Sequence, residues 1–107
     1  MRVYNMESPR SGKPVANQFI IVDDDKLVFQ SYDSMIVTWD KAKSIITFGE
    51  DWNYSTTTAK YRNEFLKMYF PSLADGKKLK MMKEMADALG GSFDYQVGAF
   101  IYTIVFE

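Results

Sequence analysis

The stretch Q-F-I-I-V-D-D-D-K-L-V-F-Q-S-Y-D-S-M-I-V-T-W-D-K-A-K-S-I-I-T-F, residues 18–48, determines the fold class. It contains four runs rich in β-branched and aromatic residues, separated by short polar links. Such runs predict strands, and links of this length join neighbouring antiparallel strands. The sequence therefore predicts a meander with strands at Gln18–Val22, Leu27–Tyr32, Met35–Trp39 and Ser44–Phe48.

Three consecutive carboxylates, Asp23, Asp24 and Asp25, lie in the first of these links. Calcium-binding loops place their ligands at alternate positions and end with a Glu, and this stretch has neither feature. Asp is common in hairpin turns because its side chain accepts hydrogen bonds from nearby backbone amides. We therefore predict a turn here, and we predict no metal site in the chain.

Two helices are predicted after the meander. The first runs from an N-cap at Asn53 or Ser55 to about Tyr69, just before a proline that cannot continue it. The second runs from about Lys77 to the Gly90–Gly91 pair, a strong C-terminal stop signal. Both show apolar residues at helical spacing, which indicates that each packs one side against the sheet.

The C-terminal stretch, residues 92–107, predicts one or two further strands. Apolar residues occupy both sets of alternate positions between Phe100 and Phe106. A strand with two apolar faces is typically covered on both sides, so we place it centrally. With a short first strand at residues 1–6, the prediction is an α+β fold. It has an antiparallel sheet of about five to seven strands, with two α-helices on one face, in a single domain of residues 1–107.

Composition limits the chemistry that the chain can perform. Its 107 residues include no Cys and no His, which excludes thiolate and imidazole nucleophiles, bases and metal ligands. We therefore expect a protein that is not an enzyme and needs no cofactor. No apolar run approaches the roughly 20 residues of a membrane helix, and the N-terminus lacks the apolar region of a secretory signal. These features predict a cytosolic protein with no membrane partner.

Charge is distributed unevenly along the chain. The net charge is −1, yet residues 60–83 carry seven basic and two acidic residues. Such a dipolar molecule can steer an anionic partner towards one face. Four of these cations fall in the second predicted helix and are candidates for binding nucleic-acid phosphates: Lys77, Lys78, Lys80 and Lys83. The alternative is that they serve only to keep a surface helix soluble.

The stretch W-N-Y-S-T-T-T-A-K-Y-R-N-E-F-L, residues 52–66, is the main candidate site. A helix N-terminus offers unpaired N–H groups and a partial positive charge, and here hydroxyl residues surround it. Cations follow within two turns, and aromatic rings on which a base can stack precede it. These features predict a phosphate or nucleotide pocket formed by Trp52, Tyr54, Ser55, Thr57, Lys60 and Arg62. The alternative is that they only cap the helix and fix it to the sheet.

The stretch F-Q-S-Y-D-S, residues 29–34, lies at the end of a predicted strand and is a second candidate, with Gln30 and Tyr32 as its predicted binding residues. They line the same groove if the first helix packs over that strand. Hydrogen bonding at the strand end explains these polar residues equally well.

The pattern W52-x-Y54-S55-x-T57-T58-x-K60-Y61-x-x-x-F65-L66, preceded by N17-Q18-F19 and F29-Q30-S31-Y32-x-S34, resembles a group of small bacteriophage and prophage proteins. That group is a domain of unknown function, and the resemblance covers residues 17–66. It implies a phage origin and a setting in the host cytoplasm, and it implies no catalytic residues.

Small phage proteins of this size often act by binding, so the sequence supports two functional hypotheses. The first is a non-enzymatic protein that counters host antiviral defence, either by inhibiting a host defence protein or by sequestering a nucleotide second messenger. The second is a nucleic-acid-binding accessory protein that uses the lysines of the second helix. A homo-oligomer is compatible with either hypothesis.

Overall fold

The structure is a computed structural model that describes all residues, 1–107. It contains seven strands, two α-helices and one short 3₁₀ helix, Pro71–Leu73. The strands are β1 (Arg2–Glu7), β2 (Pro14–Val22), β3 (Lys26–Ser31), β4 (Ser34–Asp40), β5 (Ile45–Phe48), β6 (Ser92–Val97) and β7 (Phe100–Phe106). The helices are α1 (Thr56–Tyr69) and α2 (Gly76–Ala88).

All seven strands form one sheet in the order β1-β2-β3-β4-β5-β7-β6. Strands β2 to β5 make the predicted four-stranded meander, and β2 begins at Pro14, four residues before the predicted start. The short first strand predicted at residues 1–6 is β1, which pairs with β2. Every neighbouring pair is antiparallel except β5 and β7, which are parallel. The parallel pair departs from the prediction of an antiparallel sheet. It arises because the helical connection returns the chain as β6, antiparallel to β5, and the β6–β7 hairpin then reverses it, so that β7 runs parallel to β5. The α+β class is confirmed.

The core lies between one face of the sheet and the two helices. One row of paired residues crosses most of that face: Ile20, Phe29, Val37, Phe48 and Phe106. From α1, the Phe65 ring stacks on Phe29 with 5.8 Å between centroids. From α2, Leu79, Met82 and Ala86 enter the same cluster. Alternation along each strand thus directs every second side chain towards the helical layer.

The opposite face of the sheet carries no helix. Strand β7 lies between β5 and β6, so its central position is confirmed. However, the prediction that it is covered on both sides is wrong. Ile101 is 61% exposed, and Thr103 and Val105 are half-buried. Both helices pack on the same side, so the apolar residues of the other face are shielded only by their neighbours.

Candidate functional site

A cleft of about 500 Å³ lies where the turn between β3 and β4 faces the beginning of α1. We call it the Tyr32–Tyr54 cleft. It is lined by Ser31, Tyr32, Asp33, Ser34, Ile36, Asp51, Tyr54, Ser55, Thr57 and Thr58. Two stretches that are distant in sequence, residues 31–36 and 51–58, therefore meet at one place. A volume of this size is within the range of ligand-binding clefts.

The N-terminus of α1 forms one wall of the cleft. Ser55 is the N-cap, as predicted, and its hydroxyl accepts a hydrogen bond from the Thr58 N–H at 3.1 Å. The first turn contains no acidic residue. The N–H groups of Thr56 and Thr57 precede the intrahelical hydrogen-bond ladder and have no partner within the helix. This end of α1 therefore offers donors to a bound group.

Hydrogen bonds between side chains connect the two walls. The hydroxyl of Thr58 lies 3.3 Å from that of Ser31 on β3 and 3.2 Å from that of Ser55. Ser34 donates to the Asp51 carboxylate at 2.7 Å. The bonds Ser31–Thr58 and Ser34–Asp51 join the two walls, and the bond Ser55–Thr58 lies within the helix cap. These contacts within the chain fix the shape of the cleft.

Two tyrosine rings stand at the opening of the cleft. Tyr32 is 57% exposed and Tyr54 is 77% exposed. Tyr32 has a φ of 53°, a left-handed conformation that is uncommon for a non-glycine residue and costs energy. The turn is held by Gln30, whose Nε2 donates to the Tyr32 carbonyl at 2.7 Å. Gln30 thus supports the cleft from outside its lining, and the strained turn keeps the Tyr32 ring in solvent.

Arg62, one of the predicted contact residues, belongs to the core. It is 1% exposed, and it donates through Nη1 to the Trp52 carbonyl and the Asn53 side chain, each at 3.0 Å. Its guanidinium lies 5.2 Å from the centroid of the buried Trp52 ring. Burial lowers the pKa of Arg62 to about 10, so it remains a cation at neutral pH. Arg62 and Trp52 therefore do not reach the cleft, but they fix the segment that carries Asp51 and Tyr54.

Lys60 is also outside the cleft lining. It is exposed, and its Nζ lies 5.2 Å from the centroid of the Tyr61 ring. The charged residues that do line the cleft are Asp33 and Asp51. The sequence led us to expect cations around the helix N-terminus, whereas the fold places two carboxylates there. A phosphate group would therefore enter without a cationic partner and beside two like charges.

The lysines of α2 are divided between internal contacts and solvent. Lys78 donates to the Tyr95 hydroxyl at 2.7 Å and to the Ser72 carbonyl at 2.8 Å. Lys83 forms a 2.6 Å ion pair with Asp87. Lys77 and Lys80 are exposed and take part in neither ion pair of the structure. Two of the four predicted phosphate contacts are thus engaged within the chain.

The comparisons with known proteins identify the family. A model of a family of unknown function, DUF8033, matches residues 1–84. The chain belongs to this family. Neither the curated proteins nor the solved structures gave a match. The DUF8033 match supports the resemblance to a domain of unknown function, and it includes every residue that lines the cleft.

Asp51 is a cleft residue that the sequence interpretation missed, whereas Asp33 belongs to the second candidate stretch, residues 29–34. Asp33 follows Tyr32 directly, and Asp51 immediately precedes the 52–66 stretch, so both adjoin predicted site residues. Adjacency in sequence was the available signal. The structure shows that the two carboxylates share a cleft, because β5, which precedes Asp51, pairs with β4, and Ser34 at the start of β4 bonds to Asp51. The structure brings no three His, Cys, Asp or Glu side chains together in a metal-binding arrangement. None of its helices combines the length and apolarity needed to cross a membrane.

Proposed function

We propose that this chain is a non-enzymatic phage protein that counters host antiviral defence by binding a host defence protein through the Tyr32–Tyr54 cleft. The observation that carries the proposal is the composition of the cleft, which combines two exposed tyrosine rings, two carboxylates and several hydroxyls with no cation. The phage origin and the setting in the host cytoplasm come from the sequence resemblance and form part of the proposal.

The cleft favours a protein partner over a nucleotide signal. Tyrosine is enriched in protein interfaces because its ring gives apolar contact while its hydroxyl remains hydrogen-bonded. A nucleotide would place its phosphate at the start of α1, within the cleft that also holds Asp33 and Asp51. The cations predicted to balance that phosphate, Lys60 and Arg62, lie outside the cleft lining. The charge of the cleft therefore supports a protein partner over a nucleotide.

A binding role also suits the hydroxyl groups of the cleft. An activated serine needs an adjacent base that is itself oriented by a third group. Ser34 donates to Asp51, but no imidazole or amine lines the cleft to complete such an arrangement. The hydroxyls of Ser31, Ser55 and Thr58 bond to one another. They stabilise the walls, and their arrangement supports recognition of a partner.

The proposal is tested by comparing captured partners between variants. The wild-type chain, a Tyr32→Ala/Tyr54→Ala variant and a Lys77→Ala/Lys80→Ala control would be tagged and expressed in a bacterial host. We expect a protein that the wild type and the lysine control enrich and that the tyrosine variant loses. The purified partner should then bind the tyrosine variant at least tenfold more weakly in calorimetry. Identical captured sets from all three proteins would refute the role of the cleft.

A thermal-shift screen distinguishes the nucleotide alternative. A ligand at a hundredfold excess over its dissociation constant stabilises a protein by about 2.7 kcal/mol. We expect no such shift with cyclic di- and trinucleotides. A shift that the Tyr32→Ala/Tyr54→Ala variant abolishes would replace the protein partner with a nucleotide signal.

The nucleic-acid alternative is less well supported because Lys78 and Lys83 have internal partners. It predicts steeply salt-dependent binding to arbitrary DNA or RNA, since phosphate contacts release counterions. We expect mobility-shift assays at low salt to show little retardation. Strong retardation that Lys77→Ala/Lys80→Ala removes would restore this alternative.

A further inference from the structure

We propose that the Tyr32–Tyr54 cleft recognises an arginine side chain within a basic segment of the partner. This inference rests on the proposed function, because it names the chemical group that the cleft binds. It is carried by two features that the fold brings together: carboxylates without cationic partners and exposed tyrosines in the lining of the same cleft.

The carboxylates are the first feature. The two ion pairs of the structure, Lys67–Glu64 and Lys83–Asp87, lie on the helices away from the cleft. Asp33 and Asp51 therefore have no cationic partner within the chain. Asp51 accepts one hydrogen bond from Ser34, which orients the carboxylate and leaves further lone pairs for a ligand. A cation from outside the chain would supply the ion-pair partner that both carboxylates lack.

The tyrosine rings select among cations. A guanidinium is planar and weakly hydrated, so it stacks on an aromatic face while its N–H groups bond to a carboxylate. An ammonium group is a strongly hydrated point charge that loses more solvation on entering such a cleft. With Tyr32 and Tyr54 exposed beside Asp33 and Asp51, both requirements of a guanidinium are met in the same place.

The N-terminus of α1 carries a partial positive charge, which opposes the binding of a cation. The size of that charge must therefore be compared with the charge of the two carboxylates. A helix N-terminus behaves as roughly half a positive charge. Part of that charge is already offset by the Ser55 hydroxyl, which accepts from Thr58. Two full carboxylate charges exceed the remainder, and the cleft is therefore net attractive to a cation. The N–H groups of Thr56 and Thr57 are then available to backbone carbonyls that flank the bound arginine.

A titration followed by amide NMR tests the inference with small probes. The probes are Nα-acetyl-arginine amide, its neutral isostere Nα-acetyl-citrulline amide, and adenosine monophosphate. We expect the arginine probe to shift the amide resonances of residues 31–36 and 51–58 in a saturable way, with at least tenfold weaker binding of the citrulline probe. Equal responses to arginine and citrulline would exclude recognition of charge. Stronger shifts of these resonances with adenosine monophosphate would show that the cleft prefers an anion.

Isosteric variants separate this inference from the proposed function. Asp33→Asn/Asp51→Asn removes both charges but keeps the side-chain shape and one acceptor oxygen at each position. Asp24→Asn in the β2–β3 turn is the matched control. We expect the double variant to bind both the arginine probe and the captured partner at least tenfold more weakly, with no change for the control. If the partner is lost with Tyr32→Ala/Tyr54→Ala but unaffected by the double Asn variant, the protein-binding function stands and the arginine inference fails.

Discussion

The two helices begin in opposite electrostatic settings. Helix α1 has a neutral cap, Ser55, and begins in a cleft that also contains two carboxylates. Helix α2 has a charged cap, Asp75, whose Oδ1 accepts from the N–H groups of Lys77 and Lys78 at 2.9 and 3.3 Å. The lysines that give α2 its basic sequence thus lie around an acidic cap, and two of its four basic side chains bond within the chain. The comparison shows that charge along the sequence is a poor guide to which helix end is available to a ligand.

The largest expected effect concerns the buried cation that supports the α1 side. Arg62→Met leaves the Trp52 carbonyl without its donor in a buried setting, and it also removes a part-buried hydrogen bond to the exposed Asn53 side chain. We expect the free energy of unfolding to fall by about 3 kcal/mol, since a stranded buried acceptor alone costs roughly 1–3 kcal/mol. Urea unfolding followed by fluorescence measures this loss.

The matched control is Lys78→Met, which removes a half-buried cation from the α2 side. Its two hydrogen bonds are part-buried or exposed, so we expect a loss below about 1 kcal/mol. If both variants lose the same free energy, Arg62 does not have the structural role assigned to it.

Removing each cap compares the two helix ends directly. Asp75→Ala deletes an ionised acceptor of two N–H groups, and we expect it to cost about 1.5 kcal/mol. Ser55→Ala deletes a neutral acceptor of one N–H group, and we expect a cost of about 1 kcal/mol. Parallel chemical denaturation of the two variants gives both values. A larger loss for Ser55→Ala would mean that the hydroxyl chain through Thr58 contributes more than the charged cap.

Features that depend on a few neighbouring residues could be predicted from the sequence, whereas features that depend on tertiary packing could not. The meander and both helices follow from local patterns, because turn residues, alternation and caps such as Ser55 act over a few residues. The parallel pairing of β5 with β7 depends on how two helices pack between them, and no local pattern specifies that packing. The cleft was predicted only in part, because some of its features also depend on tertiary packing. Tyr54 and Ser55 could be identified from helix-start chemistry, whereas the burial of Arg62 and the presence of Asp33 and Asp51 in one cleft depend on tertiary structure.

Gln18 offers a prediction of increased stability. Its side chain is 1% exposed, and its Oε1 has no hydrogen-bond partner. It pairs across the strands with Ser31 of the cleft wall. An unsatisfied buried acceptor is unfavourable, and an apolar group of similar shape is often neutral or stabilising there. We expect Gln18→Met to raise the free energy of unfolding by about 1 kcal/mol, measured by urea unfolding. A loss of 1 kcal/mol or more would show that the amide forms a bond required by the fold.

The smallest expected effect is a change in titration on the α2 side. The hydrogen bond from Lys78 is the main cause of a lowered pKa of Tyr95. Because that pKa lies below 10.0 in the folded chain, the phenolate contributes stability that is gained as pH rises from the folded towards the unfolded value. That contribution is lost as pH falls through the folded pKa. We expect Lys78→Met to raise the pKa of Tyr95, followed by carbon NMR of the ring, and Lys80→Met to leave it unchanged.

The parallel pairing of β5 with β7 also sets an order of folding. Strands β1 to β5 pair with their sequence neighbours, so this meander closes only short loops. Phe48 meets Phe106, by contrast, only after both helices and the β6–β7 hairpin have been traversed. Long loops close at a greater entropic cost, and topologies with distant contacts fold slowly. We therefore expect the C-terminal hairpin to join the sheet last, so that β5 remains a temporary edge strand and its amides gain protection from hydrogen exchange after those of β3.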